Sequence, residues 1–458
     1  MLQRVRRIRL ILLPIIALVV FGLITMLLSD RALLEQEKTV EFDVSKRWQK
    51  HIIGENIFRD HGHSTAIGDL DGDGRTDALI AFGRRYDLSP EDGVWWYRQP
   101  VNPKTEPWPR FQLTNPTMPI RWCMAVGTGD VDNDGDLDVA ALSFNDGRVY
   151  LAVNPLKESG NVETPWRTLI IHDEPERHGE QVEIIDVDGD GFRDIVFSNY
   201  SYIHVLFNPE GQPDGKWEDK KVYGDIPADA HSVVAADFDR DGDLDLANAS
   251  GVASMYWYEQ PDGNARNGRW KRHLVRQKRD HWGAIQKVDV NLDGAVDIIA
   301  MNAHGHPGEI FWMENPGDSK KYWSYHRIGE QTYPHGSSLI DIDGDGQQEL
   351  WVGDSSNGCG GSDYCWNDGG IVFFQQSDDP TKPWIVNRVA AAPETGRQCR
   401  AADIDRDGDM DMVSTADHRC LGPKYYNCTI SLVWWENTTV QRGSVEPATC
   451  SKAAVKQE

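Results

Sequence analysis

Cysteine is scarce in this chain, with seven in 458 residues. That is too few for a disulfide scaffold, and the spacing is too scattered for zinc. Cys359 and Cys365 share one Gly-rich loop and Cys420 and Cys428 another, so two local disulfides are expected, while Cys123, Cys399 and Cys450 have no partner legible in the sequence. Any such bridge requires an oxidising compartment. There is no basic stripe, so nucleic acid is not an expected partner. No nucleophile elbow, P-loop, dinucleotide fingerprint or H-E-x-x-H occurs. Phosphoryl transfer, hydride transfer and zinc-protease chemistry, and with them a nucleotide ligand, have nothing to stand on. Long apolar runs are missing except for one. Leu10 to Leu28 carries no charge over 19 residues, just enough to span a bilayer. Arg4, Arg6, Arg7 and Arg9 precede it, and a basic flank stays in the cytoplasm. The expectation is a single-pass anchor: a cytoplasmic tail 1–9, a membrane helix 10–28, a polar stalk 29–46, and the remainder periplasmic, extracellular or lumenal. A cleaved signal peptide is the competing reading, although Leu28-Ser29-Asp30-Arg31 is a poor cleavage site.

Acid is what the chain has in quantity, with 72 Asp and Glu and a formal net charge of −25. Much of it repeats. The pattern D-x-D/N-x-D-G-x-x-D/E occurs seven times, at starts 61, 56, 51, 52, 52 and 62 residues apart. Its acidic positions 1, 3, 5 and 9 are Asp69, Asp71, Asp73, Asp77 in the first copy and Asp130, Asp132, Asp134, Asp138 in the second. They are Asp186, Asp188, Asp190, Asp194 in the third and Asp237, Asp239, Asp241, Asp245 in the fourth. The fifth has Asp289, Asn291, Asp293, Asp297, the sixth Asp341, Asp343, Asp345, Glu349, and the seventh Asp403, Asp405, Asp407, Asp411. Such a loop directs several hard oxygens to one point, which suits Ca²⁺ with its six to eight oxygen ligands. Position 6 is glycine in every copy, as a sharp turn requires. An EF-hand would need Glu at position 12; here that position is apolar, as at Ile80, Ala141 and Val352. Up to seven calcium ions are therefore expected, and they would bring the net charge to about −11.

The rest of the period reads as four strands. One leads into the acidic loop and one leaves it. A third is aromatic and ends near an N/Q-P turn, as in Met255-Tyr-Trp-Tyr-Glu-Gln-Pro261, and a fourth opens on Trp108, Trp166, Trp217, Trp270, Trp323 or Trp384. β-Branched and aromatic runs bounded by Gly, Pro and Asn are strand signals, and four per fifty-odd residues make a propeller blade. The seventh copy lacks its tryptophan strand, whereas Arg47-Trp48-Gln-Lys-His51-Ile52-Ile53 supplies one at the other end. The expected fold is all-β: a seven-bladed propeller over 47–438, closed by this N-terminal strand and followed by a polar tail, 439–458.

D-x-D-x-D-G-x-x-D ahead of a short apolar strand, with a W-Y-E-N-P-like strand after it, resembles the FG-GAP/VCBS repeat of integrin alpha-subunit propellers and many secreted bacterial proteins. The resemblance covers essentially the whole of 47–438 and implies the fold and the calcium. It does not imply integrin-type adhesion, because no leg domains follow. Some polysaccharide lyases and a sugar dehydratase are built on propellers of this general kind, but a shared fold does not assign an activity.

In a propeller the acidic loops share one face, and the approaches to the first strands ring the channel on the other. Six residues before each loop stand His63, Met124, Glu180, His231, Gly283, His335 and Arg397, with Arg121, His281 and Arg400 near by. The exits of the second strands add Tyr86, Tyr200, His304, His306, His418 and Arg419. A structural preference would repeat in every blade, whereas this set varies. Two readings stay open. In one, the protein is a lyase acting on an acidic polysaccharide by β-elimination. Arg121 or Arg397 would neutralise a uronate carboxylate, His231 or His335 would remove the acidified proton, and Tyr86 or Tyr200 would protonate the leaving oxygen. His63, Glu180, His281, His304, His306, His418 and Arg419 would contact the sugar, and three histidines holding a transition metal is a variant. In the other, the same face binds a glycan or protein without catalysis. Asn199, Asn248, Asn427 and Asn437 head N-x-S/T sequons.

Overall fold

In the computed structural model, described for residues 47–57, 64–84, 88–144, 146–174, 178–199, 202–222, 230–250, 254–277, 283–303, 307–318, 321–354, 370–391, 398–417 and 430–438, the chain folds into seven four-stranded antiparallel sheets. Blade 1 is Ser64–Gly68, Asp77–Phe82, Gly93–Tyr97 and Arg110–Gln112; blade 2 is Cys123–Gly129, Asp138–Ser143, Arg148–Val153 and Arg167–Asp173. Blade 3 is His178–Ile185, Asp194–Asn199, Ile203–Phe207 and Glu218–Val222; blade 4 is Ala230–Ala236, Asp245–Ser250, Met255–Glu259 and Lys271–Arg276. Blade 5 is Ile285–Val288, Asp297–Met301, Gly308–Glu314 and Ser324–Gln331; blade 6 is Pro334–Ile340, Glu349–Asp354, Gly370–Gln375 and Ile385–Ala391. Blade 7 takes Cys399–Ala402, Asp411–Asp417 and Ile430–Asn437 from the C-terminal end, and its fourth strand is Trp48–Ile57. The N-terminal strand thus closes the ring as expected.

First strands are innermost, because they hydrogen-bond to one another across blades. Ser64 Oγ donates to Gln398 Oε1 at 2.7 Å, Ser232 Oγ to the Gly283 carbonyl at 2.7 Å, and Lys287 Nζ to the Ala235 carbonyl at 2.7 Å. Second and third strands are buried on both faces, which is why they read as near-continuous apolar runs. Each tryptophan stands just before the fourth strand and packs into the core shared with the preceding blade. Trp166 joins Leu70, Leu79 and Trp96, and Trp108 joins Ile404, Val413 and Trp434. Trp48 does the same for blade 7, with its ring 4.8 Å from that of Trp351 in blade 6. The tryptophans pack between blades.

The histidines on outer strands are structural too. His51, His273 and His326 stack on Trp434, Trp257 and Trp312 at 4.2 to 4.5 Å, and each bonds a carboxylate two residues beyond that tryptophan, at 2.6 to 2.8 Å. Asn199, Asn248 and Asn437 are buried, so the folded chain does not offer these sequons for modification. Cys123 and Cys399 are buried thiols in different blades. The other five cysteines, Asn427 and the apolar run Leu10–Leu28 lie outside the described residues. No helix among the described residues is long and apolar enough to cross a membrane.

If the N-terminal strand carries blade 7, its inward and outward residues should differ sharply in cost. Trp48 is 6% exposed and Ile52 on the same strand 47%. In denaturant titrations Trp48→Ala should lose about 3–5 kcal/mol, whereas Ile52→Ala should stay within about 0.5 kcal/mol. Equal small losses would mean that the strand is dispensable.

Candidate functional site

Two sites emerge, one in the acidic loops and one on the axis. Each loop opens where its position-9 acid pairs across the hairpin, as Gly68 with Asp77 and Gly129 with Asp138. In all seven, the first aspartate accepts the N–H of the position-6 glycine at 2.7 to 3.1 Å. That glycine has φ between 80° and 99°, a conformation glycine adopts without steric cost. The position-9 acid does something the sequence pattern did not disclose. In blades 1 to 5 and 7 one of its oxygens accepts the N–H of position 2 and the other accepts the N–H of the Asn or Gln ending the third strand, as for Asp138 with Val131 at 2.9 Å and Asn154 at 2.8 Å. The amide of that Asn or Gln then reaches the position-2 carbonyl of the preceding blade. Asn154 bonds Leu70, Asn208 bonds Val131, Asn315 bonds Phe238, Gln376 bonds Val290, Asn437 bonds Ile342 and Gln99 bonds Ile404. What reads in sequence as a turn signal is a staple between blades. At the junction of blades 3 and 4, Arg266 bridges instead, to Asp188 at 2.5 Å and Asp190 at 2.8 Å.

In blades 1 to 4 a carboxylate oxygen from each of positions 1, 3 and 9 lies within 4.8 Å of the others. The donor set fits a hard divalent cation. Asp130 Oδ1, Asp188 Oδ1, Asp239 Oδ1 and Asp403 Oδ1 are buried with no hydrogen-bond partner, and burying unmatched charge is costly. Burial pushes the position-9 carboxyls up to about 7 in Asp77, Asp138, Asp194, Asp297, Asp411 and Glu349, and to about 8 in Asp245. At position 3, burial and then the neighbouring acids raise Asp71, Asp132 and Asp343. A bound cation would remove that repulsion and supply the missing partner.

Position 4 shows how the loops touch one another. Glycine stands there in blades 1, 3 and 6, but Asn133, Arg240, Leu292 and Arg406 adopt the same left-handed backbone, with φ 58° to 66°. Three of these reach the next loop: Asn133 Nδ2 to the Gly191 carbonyl at 2.9 Å, Arg240 to Asp293 Oδ1 at 3.1 Å, and Arg406 to the Gly74 carbonyl.

The axial site is a cavity of about 50 Å³ lined by Met124, Gln181, Ser232, Ala284, Gln286, His335, Gly336, Ser337, Gln398 and Arg400. Six blades contribute, and no two contribute alike. His335, expected here, is present and 8% exposed. Arg121 is not in the lining; it lies just before the blade 2 first strand, its carbonyl taken by Ser143 Oγ at 2.6 Å. His231 and Glu180 are placed by their backbones on first strands. His63, Tyr86, Tyr200, His281, His304, His306, Arg397, His418 and Arg419 lie outside the described residues. The cation that the structure brings to the axis is Arg400. Among the described residues its side chain donates to the Cys399 carbonyl at 2.8 Å. Burial pulls its guanidinium below the usual range, and no acid among the described residues offsets this. Deeper in the channel the charges are matched, Lys287 with Glu183 at 2.8 Å.

One further cluster has metal-ligand spacing, His172, His204 and Asp219. The hydrogen bonds of His204 account for that ring without a metal. Asn199 Oδ1 accepts the Tyr202 N–H at 2.5 Å, so its amide nitrogen faces His204 Nε2 at 2.7 Å and donates. The proton of His204 is then on Nδ1, donated to Asp219 at 2.9 Å. Neither ring nitrogen has a lone pair to spare.

FG-GAP-like repeats match residues 69–141, 186–247 and 289–352. Together with the seven blades, they make this chain an FG-GAP repeat β-propeller protein. A search of curated proteins found no match. Among solved structures, BBS1N in complex with ARL6DN, soaked with lead, is 11% identical with a TM-score of 0.49, over 83% of this chain and 97% of that one. A lectin of Agrocybe aegerita that recognises non-reducing terminal N-acetylglucosamine is 14% identical with a TM-score of 0.47, over 80% and 93%. Those partners and ligands belong to those proteins.

Staple and metal ligand predict different phenotypes. Asn154→Ala strands the Leu70 and Leu137 carbonyls and should cost about 1–3 kcal/mol both in calcium and in chelator. Asp132→Asn should cost stability in calcium alone. The same dependence for both variants in calorimetry would refute the division of roles.

Proposed function

We propose that this protein is a calcium-stabilised recognition propeller that takes an acidic saccharide at the axial cleft, held on the outer side of a membrane by the Leu10–Leu28 segment. The observation that carries the ligand reading is Arg400, set among non-equivalent side chains of six blades with no acidic partner among the described residues. A planar guanidinium in that state suits a carboxylate, which it can bind through two parallel hydrogen bonds. The volume sets the scale. About 50 Å³ holds about three to five waters, so a uronate would insert its carboxylate while its ring lies above. Gln181, Gln286, Gln398 and Ser232 offer donors and acceptors to the neighbouring hydroxyls.

A lyase reading is kept second because His335 lines the same cavity. Pairing the carboxylate with Arg400 would acidify the adjacent C–H. His335 would take that proton, and the electron pair would form the C=C bond as the C–O bond to the leaving sugar breaks, with a proton supplied to its oxygen. The four acidic positions of each loop would hold calcium, and the ion supplies charge compensation to the fold.

Two measurements test this reading. In a thermal scan, excess chelator should lower the midpoint sharply, since each site filled a hundredfold above its Kd adds about 2.7 kcal/mol; an unchanged midpoint would falsify the calcium claim. In calorimetric titrations, oligouronides should bind and neutral oligosaccharides should not, with Arg400→Met weakening binding at least tenfold. Absorbance of unsaturated uronate ends that rises with wild type and not with His335→Ala would extend the reading to a lyase. Oligouronides that bind Arg400→Met as well as wild type would overturn the axial site.

A further inference from the structure

Position 7 of the loop is outside the repeated acidic pattern, and it divides the seven copies. It is Asp136, Asp243 and Asp409 in blades 2, 4 and 7, against Arg75, Phe192, Ala295 and Gln347 in blades 1, 3, 5 and 6. Two of these carboxylates are buried and Asp243 is half-buried. Asp136 is 5% exposed and Asp409 8%. Asp136 Oδ1, Asp243 Oδ1 and both oxygens of Asp409 are buried with no hydrogen-bond partner, while Asp136 Oδ2 accepts the Lys157 N–H at 3.2 Å. Asp243 and Asp409 lie beside the position-5 carboxylates Asp241 and Asp407 of their own loops, and Asp136 feels the charge of Asp134 in its own. A carboxylate oxygen buried beside other acids without a donor is costly unless a cation meets it.

Resting on the calcium reading above, we propose that Asp136, Asp243 and Asp409 are additional cation ligands, so that the loops of blades 2, 4 and 7 fill first and empty last. Calcium affinity rises with the number of charged ligands. The remaining loops are poorer on both sides of that account. Blade 5 has Asn291 in place of an acid and Arg240 on Asp293. Blade 1 sets Arg75 on Asp73 and Arg98 on Asp71, and blade 3 meets Arg266. Blade 6 has the Gln375 amide on Asp343 at 3.1 Å and the Arg47 guanidinium near Asp343 and Glu349. Blade 7 also carries a cation, Lys104 on Asp405, and should be the weakest of the leading three.

The test equilibrates the full chain at graded free calcium and counts bound ions by native mass spectrometry. Ions should accumulate in two steps, three and then the rest. Asp136→Asn/Asp243→Asn/Asp409→Asn should raise the free calcium needed for the first step at least tenfold and leave the second in place. Should the triple variant fail to fold, Asp243→Asn alone should reduce the first step from three ions to two. Filling in one step, unmoved by these changes, overturns the two classes and leaves calcium binding intact. No bound calcium at any concentration defeats the calcium reading and this one with it.

Discussion

The position-9 carboxylate is the interaction on which the molecule depends. In Asp138 one oxygen closes the acidic loop on the Val131 N–H, while the other fixes the end of the third strand through the Asn154 N–H. With Asn154 held, its amide lands on the Leu70 carbonyl of the preceding blade. A single buried acid therefore sets loop shape, hairpin register and blade-to-blade spacing together. Repeated around the ring, it couples local folding to closure. Buried backbone groups have to be paired somewhere, and here they are paired in the acidic loops.

That economy has an electrostatic cost. Acids held by backbone N–H groups at the bottom of a loop are short of solvent, and burial raises their pKa values to about 7 or 8. The protein answers in two ways. Arginine and lysine side chains lean onto some loops, as Arg98 on Asp71 and Arg266 on Asp188. Elsewhere, carboxylate oxygens are left buried and unmatched, an arrangement that makes sense with a divalent ion in place.

Repetition and variety among the blades are separated by radius. Between blades the solutions repeat: tryptophan before the outer strand, histidine stacked on tryptophan, an amide staple. At the axis they do not. Met124, Gln181, Ser232, Gln286, His335 and Arg400 come from six blades and are of five residue types. Side chains between blades face near-identical neighbours, whereas those on the axis face whatever occupies the channel.

The seven-fold repeat, the four strands per period, the loop turns and the closing role of Trp48 were legible in the sequence, because each follows from local chemistry at constant spacing. The packing role of the tryptophans was legible for the same reason. Other features needed the third dimension. The Asn and Gln staples looked like turn residues, since their partners are carbonyls of another blade. Asp136, Asp243 and Asp409 are visible as a D-G-D spacing, yet only burial without a partner distinguishes them from surface acids. Arg400 stood in the sequence as a neighbour of Arg397, and what singles it out is the lack of any acid around it among the described residues. Sequence by itself determined what recurs every fifty-odd residues. Tertiary structure decided what one blade does to the next and what meets on the axis, because those contacts join residues that no local pattern relates.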